Sequence, residues 1–162
     1  MKSRLFVVKT GTEMMGVKVF VDTNVLLRAY FDSFTEHARI RRFIDQLVEA
    51  DSELWISRQV IREYLVQVLH PRTFTQPPSF TLIAAQLKEI EALYQVANEN
   101  RETTEKLFDL LTRYPTQGKL VHDANIVATM LVNEVYRLVT LNTSDFKRYE
   151  NIIQLIEIPP LS

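Results

Sequence analysis

The stretch that most constrains this chain is VKVFVDTNVLLRAY, from Val17 to Tyr30. Val17-Lys18-Val19-Phe20-Val21 is a short, mostly apolar run of the kind buried as a strand in a parallel sheet. Asp22-Thr23-Asn24 ends it, and Val25, Leu26 and Leu27 resume an apolar run at helical spacing with Ala29 and Tyr30. Asp22 has two readings at this junction. It can cap the helix, since an Asp side chain accepts hydrogen bonds from first-turn amides. It can also hold a metal ion, because open α/β sheets bind their ligands just beyond the carboxyl ends of the strands.

Composition narrows the chemistry. The 162 residues suffice for one domain with a substantial core, and 46% apolar with 24% charged content is that of an ordinary globular protein. There is no cysteine, which excludes disulfides, thiolate metal sites and cysteine nucleophiles and fits a cytoplasmic location. Three histidines, His37, His70 and His122, are too few for a histidine-rich zinc site. The net charge of −1 means that any nucleic-acid contact must use a local basic patch or bound cations. No apolar run approaches a membrane span, and Leu5 to Val8 is too short for a signal-peptide core.

Residues 1–16 read as an extension ahead of a domain covering 17–162, with Leu5 to Val8 forming a short strand or packing loosely and Met14 and Met15 just before the first strand. Beyond Tyr30, Ser33 and Glu36 have capping-box spacing for a helix from about Thr35 to Ala50. Leu54-Trp55-Ile56 predicts a second strand, and Ser57 caps a helix to about Leu69. Glu63 lies early in that helix, beside its apolar stripe, and reads either as an exposed helix glutamate or as a partner of Asp22. A helix from Ser79 to about Glu91 follows. Leu93-Tyr94-Gln95-Val96 continues it or forms an edge strand. A helix over Arg101–Arg113 stops before Pro115 and Gly118, and Asp123 opens the next. Arg137 to Leu141 predicts a buried strand leading into Asn142-Thr143-Ser144-Asp145-Phe146, and residues 152–156 a last one.

This order predicts an α/β fold, a three-layer arrangement with a mostly parallel central sheet flanked by helices. Right-handed crossovers then bring Asp22, Glu63, Asp123 and Asp145 to one sheet edge. One acid at a helix start is a cap. Several converging there, without cysteine or histidine, form an oxygen cage suited to Mg²⁺ or Mn²⁺.

Val19-Phe20-Val21-Asp22-Thr23-Asn24-Val25-Leu26-Leu27 closely resembles the first motif of the PIN-domain ribonucleases. Glu63 matches their second acid, His122 to Thr129 looks like their third motif and Leu138 to Phe146 resembles the fourth. The order is especially like that of the VapC-type toxins of toxin–antitoxin pairs, and the resemblance covers about residues 17–158. Two departures stand out. Asn142 occupies a position where many relatives carry Asp, so that Asn142 and Asp145 compete for the fourth role. The segment Asn133 to Arg137 also lacks the glycine common before the fourth strand.

The resemblance implies an endoribonuclease that hydrolyses RNA phosphodiester bonds, with Asp22, Glu63, Asp123 and Asp145 holding Mg²⁺ or Mn²⁺. Thr23, Asn24, Thr140 and Asn142 would support them, in competition with plain turn and cap roles. Arg62, Lys119, His122, Lys147 and Arg148 are candidates for phosphate contacts, or solvated surface groups. An antitoxin protein and a second copy of the chain, in a homodimer, are the expected partners. The alternative is a non-catalytic RNA-binding or assembly module on the same fold. A nucleotide-binding α/β protein is disfavoured, because no glycine-rich loop follows the first strand.

Overall fold

The computed structural model describes residues 16–161, and its centre is the first strand. β1 (Lys18–Val21) pairs on one side with β2 (Glu53–Ser57) and on the other with β4 (Arg137–Val139). β3 (Gln95–Ala97) and β5 (Gln154–Ile156) form the edges, giving the order β3-β2-β1-β4-β5. All four pairings are parallel. A strand covered on both faces has no side to show to water, which is why Val19, Phe20 and Val21 are fully buried and why the run lacks alternation.

The helices are α1 (Thr23–Tyr30), α2 (His37–Glu49), α3 (Arg58–Val68), α4 (Phe80–Leu93), α5 (Arg101–Arg113), α6 (Leu120–Val132) and the single turn α7 (Thr143–Phe146), followed by a 3-10 turn at Lys147–Tyr149. α1 packs on α2 and α3, and α5 packs on α6. The chain steps outward from β1 to β3, then returns to the far side of β1 for β4 and β5. The strand order therefore reverses between β1 and β4, and the crevice beyond their carboxyl ends is the place where such sheets bind ligands.

Several boundaries differ from the sequence reading. The Ser33/Glu36 capping box does not form. Two turns closed by Phe34 N–H to Phe31 O and His37 N–H to Phe34 O delay α2 to His37. Glu36 instead accepts from Thr35 Oγ1 and faces Arg28. α6 begins three residues ahead of Asp123, because the turn at Gly118 (φ +54°) lets Leu120 and Val121 N–H bond back to Gln117 and Gly118. The ambiguous stretch at Leu93–Val96 resolves as the end of α4 followed by edge strand β3. Asn142–Phe146 is mostly helical rather than a loop, and β4 and β5 are shorter than expected. The strand considered for Leu5 to Val8 lies outside the described residues.

The missing glycine before β4 has a structural counterpart. At the end of α6, Glu134 N–H bonds to Leu131 O and Val135 N–H to Met130 O, with Glu134 at φ +56°. This is a Schellman ending with glutamate in the left-handed position that glycine usually occupies. α2 ends the same way, with Asp51 at φ 55°.

Candidate active site

Asp22 follows β1 directly and is buried, with 5% of its surface exposed. Its Oδ1 accepts the N–H of Thr23 at 2.7 Å, so it does cap α1. Its Oδ2 accepts from Asn24 Nδ2 and from Thr140 Oγ1, both at 2.7 Å. Thr140 lies just beyond β4, so this oxygen is gripped from both sides of the crevice. Asn24 Oδ1 accepts the N–H of Leu141 at 3.0 Å, tying the same two strand ends together. Burial pushes the Asp22 carboxyl above the ordinary carboxylate range, and the charge of Glu63 adds to this. The hydrogen bonds from Thr140, Thr23 and Asn24 oppose the rise.

Glu63 reaches the site because β2 lies beside β1 and Ser57, accepting from Val60 N–H, starts α3 at the same sheet edge. Thr23 Oγ1 donates to Glu63 Oε2 at 2.9 Å and Gln59 Nε2 donates to Oε1 at 2.7 Å. Glu63 is thus held from two helices rather than left as a solvated helix residue.

Asp123 sits in the first turn of α6, half-buried, and receives no hydrogen bond from the described residues. Its pKa is pushed up from 3.8 to about 6, first by burial and then by the charges of Asp145, Asp22 and Glu63, with Arg148 opposing. The charges of the other three acids therefore all reach Asp123. Asp145, in α7, is half-buried and also without a side-chain hydrogen bond among the described residues. Asn142 is exposed, and its contribution is a backbone N–H donated to Thr140 Oγ1 at 3.0 Å.

As arranged, no three of the described carboxylate and histidine side chains form a ready metal cage. The donor set nevertheless fits a hard divalent cation. It consists of carboxylate oxygens, Asp123 and Asp145 have their oxygens free, and Asp22 Oδ1 has one acceptor position left beside the Thr23 bond. Positive charge there would also relieve the repulsion that raises Asp123.

The basic candidates divide. Arg62 donates to both oxygens of Glu99 at 3.3 Å, so its charge is already partnered. Arg148 donates to Pro115 O at 2.9 Å and is near enough to Asp123 to lower its pKa. Lys119, at the start of α6, and Lys147 are exposed. His122 joins the network through its backbone carbonyl.

Three participants escape the sequence reading: Gln59, Glu99 and Asn125. Gln59 is 5% exposed and bonds to Glu63, His122 O, Asn125 and Glu99. The signal that was available is the i,i+4 spacing of Gln59 and Glu63 on one helix face.

A family model described as PIN domain matches residues 19–152. No curated protein matches the chain. Among solved structures, the chain is similar to a toxin–antitoxin complex from Klebsiella pneumoniae (22% identity, 88% of this chain and 99% of that one, TM-score 0.58). It is similar also to VapBC2 from Rickettsia felis bound to a promoter DNA fragment (17%, 86% and 98%, TM-score 0.59). A third is VapC20 of Mycobacterium tuberculosis, a toxin that cleaves the sarcin–ricin loop (18%, 74% and 86%, TM-score 0.54). At these identities the likeness is one of fold. The family match spans most of the chain, and with the parallel sheet and the Asp22 junction it shows that this protein belongs to the PIN-domain family.

Proposed function

We propose that this protein is a divalent-metal-dependent endoribonuclease and the toxin of a toxin–antitoxin pair. The observation that supports the reading most is the hydrogen-bonded cluster at the β1/β4 crevice, where Thr140 holds Asp22 and Thr23 holds Glu63, with the charges of Asp22, Glu63 and Asp145 reaching Asp123. Asp22 and Asp123 would hold Mg²⁺ or Mn²⁺, with Glu63 and Asp145 binding directly or through water. When bound, the metal lowers the pKa of a coordinated water and stabilises charge on the phosphate.

The chain's own residues supply orientation. Thr140 and Asn24 fix one oxygen of Asp22, and Thr23 spans from α1 to Glu63. Arg148, whose charge reaches Asp123, and the exposed Lys119 and Lys147 at the start of α6 and after α7 would take RNA phosphates, compensating for a net charge of −1. Arg62 fits that role less well, since Glu99 holds it. The antitoxin partner rests on the resemblance to VapC toxins and on the toxin–antitoxin complexes that share the fold, and the homodimer on the resemblance alone. No described helix is long and apolar enough to cross a membrane.

A second reading, an RNA-binding or assembly module without catalysis, is favoured by one observation: the described acids do not stand in a ready metal-ligating group. Cleavage of a mixed RNA substrate with and without Mn²⁺, by wild type and Asp22→Asn, separates the two. Metal-dependent cleavage lost in Asp22→Asn supports the nuclease. RNA binding without cleavage by wild type supports the module.

A further inference from the structure

We propose that Gln59 is a positioning residue that sets the separation of Glu63 and Asp123, and so tunes the affinity of the site for a divalent cation; this rests on the nuclease reading above. Gln59 is buried, and both its amide nitrogen and its carbonyl oxygen are engaged. The two hydrogens of Nε2 go to Glu63 Oε1 at 2.7 Å and to the carbonyl of His122 at 3.1 Å. Its Oε1 accepts from Asn125 Nδ2 at 2.7 Å. An amide has two donor hydrogens, and both are used here.

The partners define a strut. Glu63 is on α3, whereas His122 and Asn125 flank Asp123 on α6. No hydrogen bond joins Glu63 to Asp123 directly, and the charge of Glu63 acts on Asp123 repulsively. The Gln59 amide bridges the two helices where that repulsion acts. It neutralises no charge, so both acids remain available as ligands. Asn125 also fixes which way the amide points. Were the amide turned over, its oxygen would face the Glu63 carboxylate and its NH₂ would face the donor NH₂ of Asn125.

The main chain of Gln59 is anchored as well. Its N–H, in the first turn of α3, donates to Glu99 Oε1 at 2.9 Å, and Arg62 holds Glu99 from the next turn. The loop after β3 thus braces a residue that never needs to touch substrate.

The test is Mn²⁺ affinity of the full chain, measured by the loss of the free Mn²⁺ electron paramagnetic resonance signal, for wild type, Gln59→Leu, Glu63→Gln and the double variant. Far-UV circular dichroism verifies folding. Removing a group that orients a ligand typically weakens binding by about ten- to a hundredfold, and Gln59→Leu is expected in that range. In the Glu63→Gln background the same change should have little further effect, because the residue acts through Glu63. Asn125→Ala, which removes the donor that holds the amide oxygen and so loosens the strut at α6, should weaken Mn²⁺ binding in the same direction and serves if Gln59→Leu does not fold. Folded variants that bind Mn²⁺ as wild type does, while Asp22→Asn loses it, would overturn the proposal alone. Equal binding by wild type and Asp22→Asn would instead overturn the metal-site reading beneath it. Fully additive effects in the double variant would reduce Gln59 to general support of the fold and also overturn the proposal.

Discussion

Thr140 Oγ1 donates a 2.7 Å hydrogen bond to Asp22 Oδ2, joining residues 118 positions apart across the point where the strand order reverses. The same hydroxyl accepts the N–H of Asn142 and the amide of Asn24. One buried side chain therefore ties the ends of β1 and β4 to the first residues beyond them.

Thr140→Val removes these bonds while nearly keeping the volume. Hydrogen bonds to a charged group contribute about 2 kcal/mol, and a loss of about that size is expected in urea unfolding at neutral pH. The Thr140 bond is the strongest influence holding the Asp22 pKa down, so its loss should raise that pKa further. The destabilisation should shrink as pH falls and Asp22 becomes protonated. Thr140→Ser should restore most of the stability. A Thr140→Val loss that is the same at every pH would show that packing, not the carboxylate, is what Thr140 serves.

The metal-free protein should grow more stable on mild acidification. Asp123 has its folded-state pKa raised from 3.8 to about 6. The folded state therefore binds the proton more tightly than the unfolded chain, and stability rises as pH falls through about 6 towards 3.8. Solvent reaches this half-exposed group, so the screened contribution is about 1 kcal/mol. Thermal unfolding from about pH 8 to about pH 4 measures it. Asp123→Asn should flatten that part of the profile, as should saturating Mn²⁺. An unchanged profile in Asp123→Asn would remove the electrostatic basis of the site.

Glu134→Gly should stabilise the protein. Glutamate at φ +56° meets the steric cost of the left-handed region, about 1–2 kcal/mol. The extra entropy of glycine in the unfolded chain offsets part of it. A net gain of about 1 kcal/mol, or roughly 2–4 °C in Tm for a chain of this size, is expected. Asp51→Gly should gain less, because Asp tolerates this conformation better than Glu. A fall in Tm for Glu134→Gly would point to a role for its side chain.

Asp145 and Asn142 compete for the fourth position. Asp145 is half-buried and raises the Asp123 pKa, while Asn142 is exposed and works through its backbone. Asp145→Ala should lower the Asp123 pKa in carboxyl ¹³C NMR and weaken Mn²⁺-dependent cleavage more than Asn142→Ala does. Equal cleavage by Asp145→Ala and wild type would leave three acids in the site.

Much of this architecture is legible in the sequence because local signals and tertiary position agree. The unbroken burial of Val19 to Val21 makes β1 readable as a central strand, and Asp22 then falls at a sheet edge by topology alone. Ser57 caps α3 as its spacing predicts. The Ser33/Glu36 box misleads because packing between Arg28 and the Phe34 ring organises that turn instead. Gln59 is invisible for a different reason. A glutamine in an amphipathic helix reads as surface, and only the arrival of α6, from more than 60 positions away, buries it. The start of α6 likewise depends on a turn at Gly118 that a cap-based reading of Asp123 cannot anticipate.

Asp22 and Asp123 are the core of the proposed metal-dependent RNA-cleaving site. The most direct measurement is the rate of RNA cleavage against Mn²⁺ concentration for wild type, Asp22→Asn and Asp123→Asn, each verified as folded. Cleavage by wild type should rise with Mn²⁺ and be abolished by chelation, and neither variant should show Mn²⁺-dependent cleavage. Wild-type rates in a folded Asp22→Asn or Asp123→Asn protein would contradict this assignment.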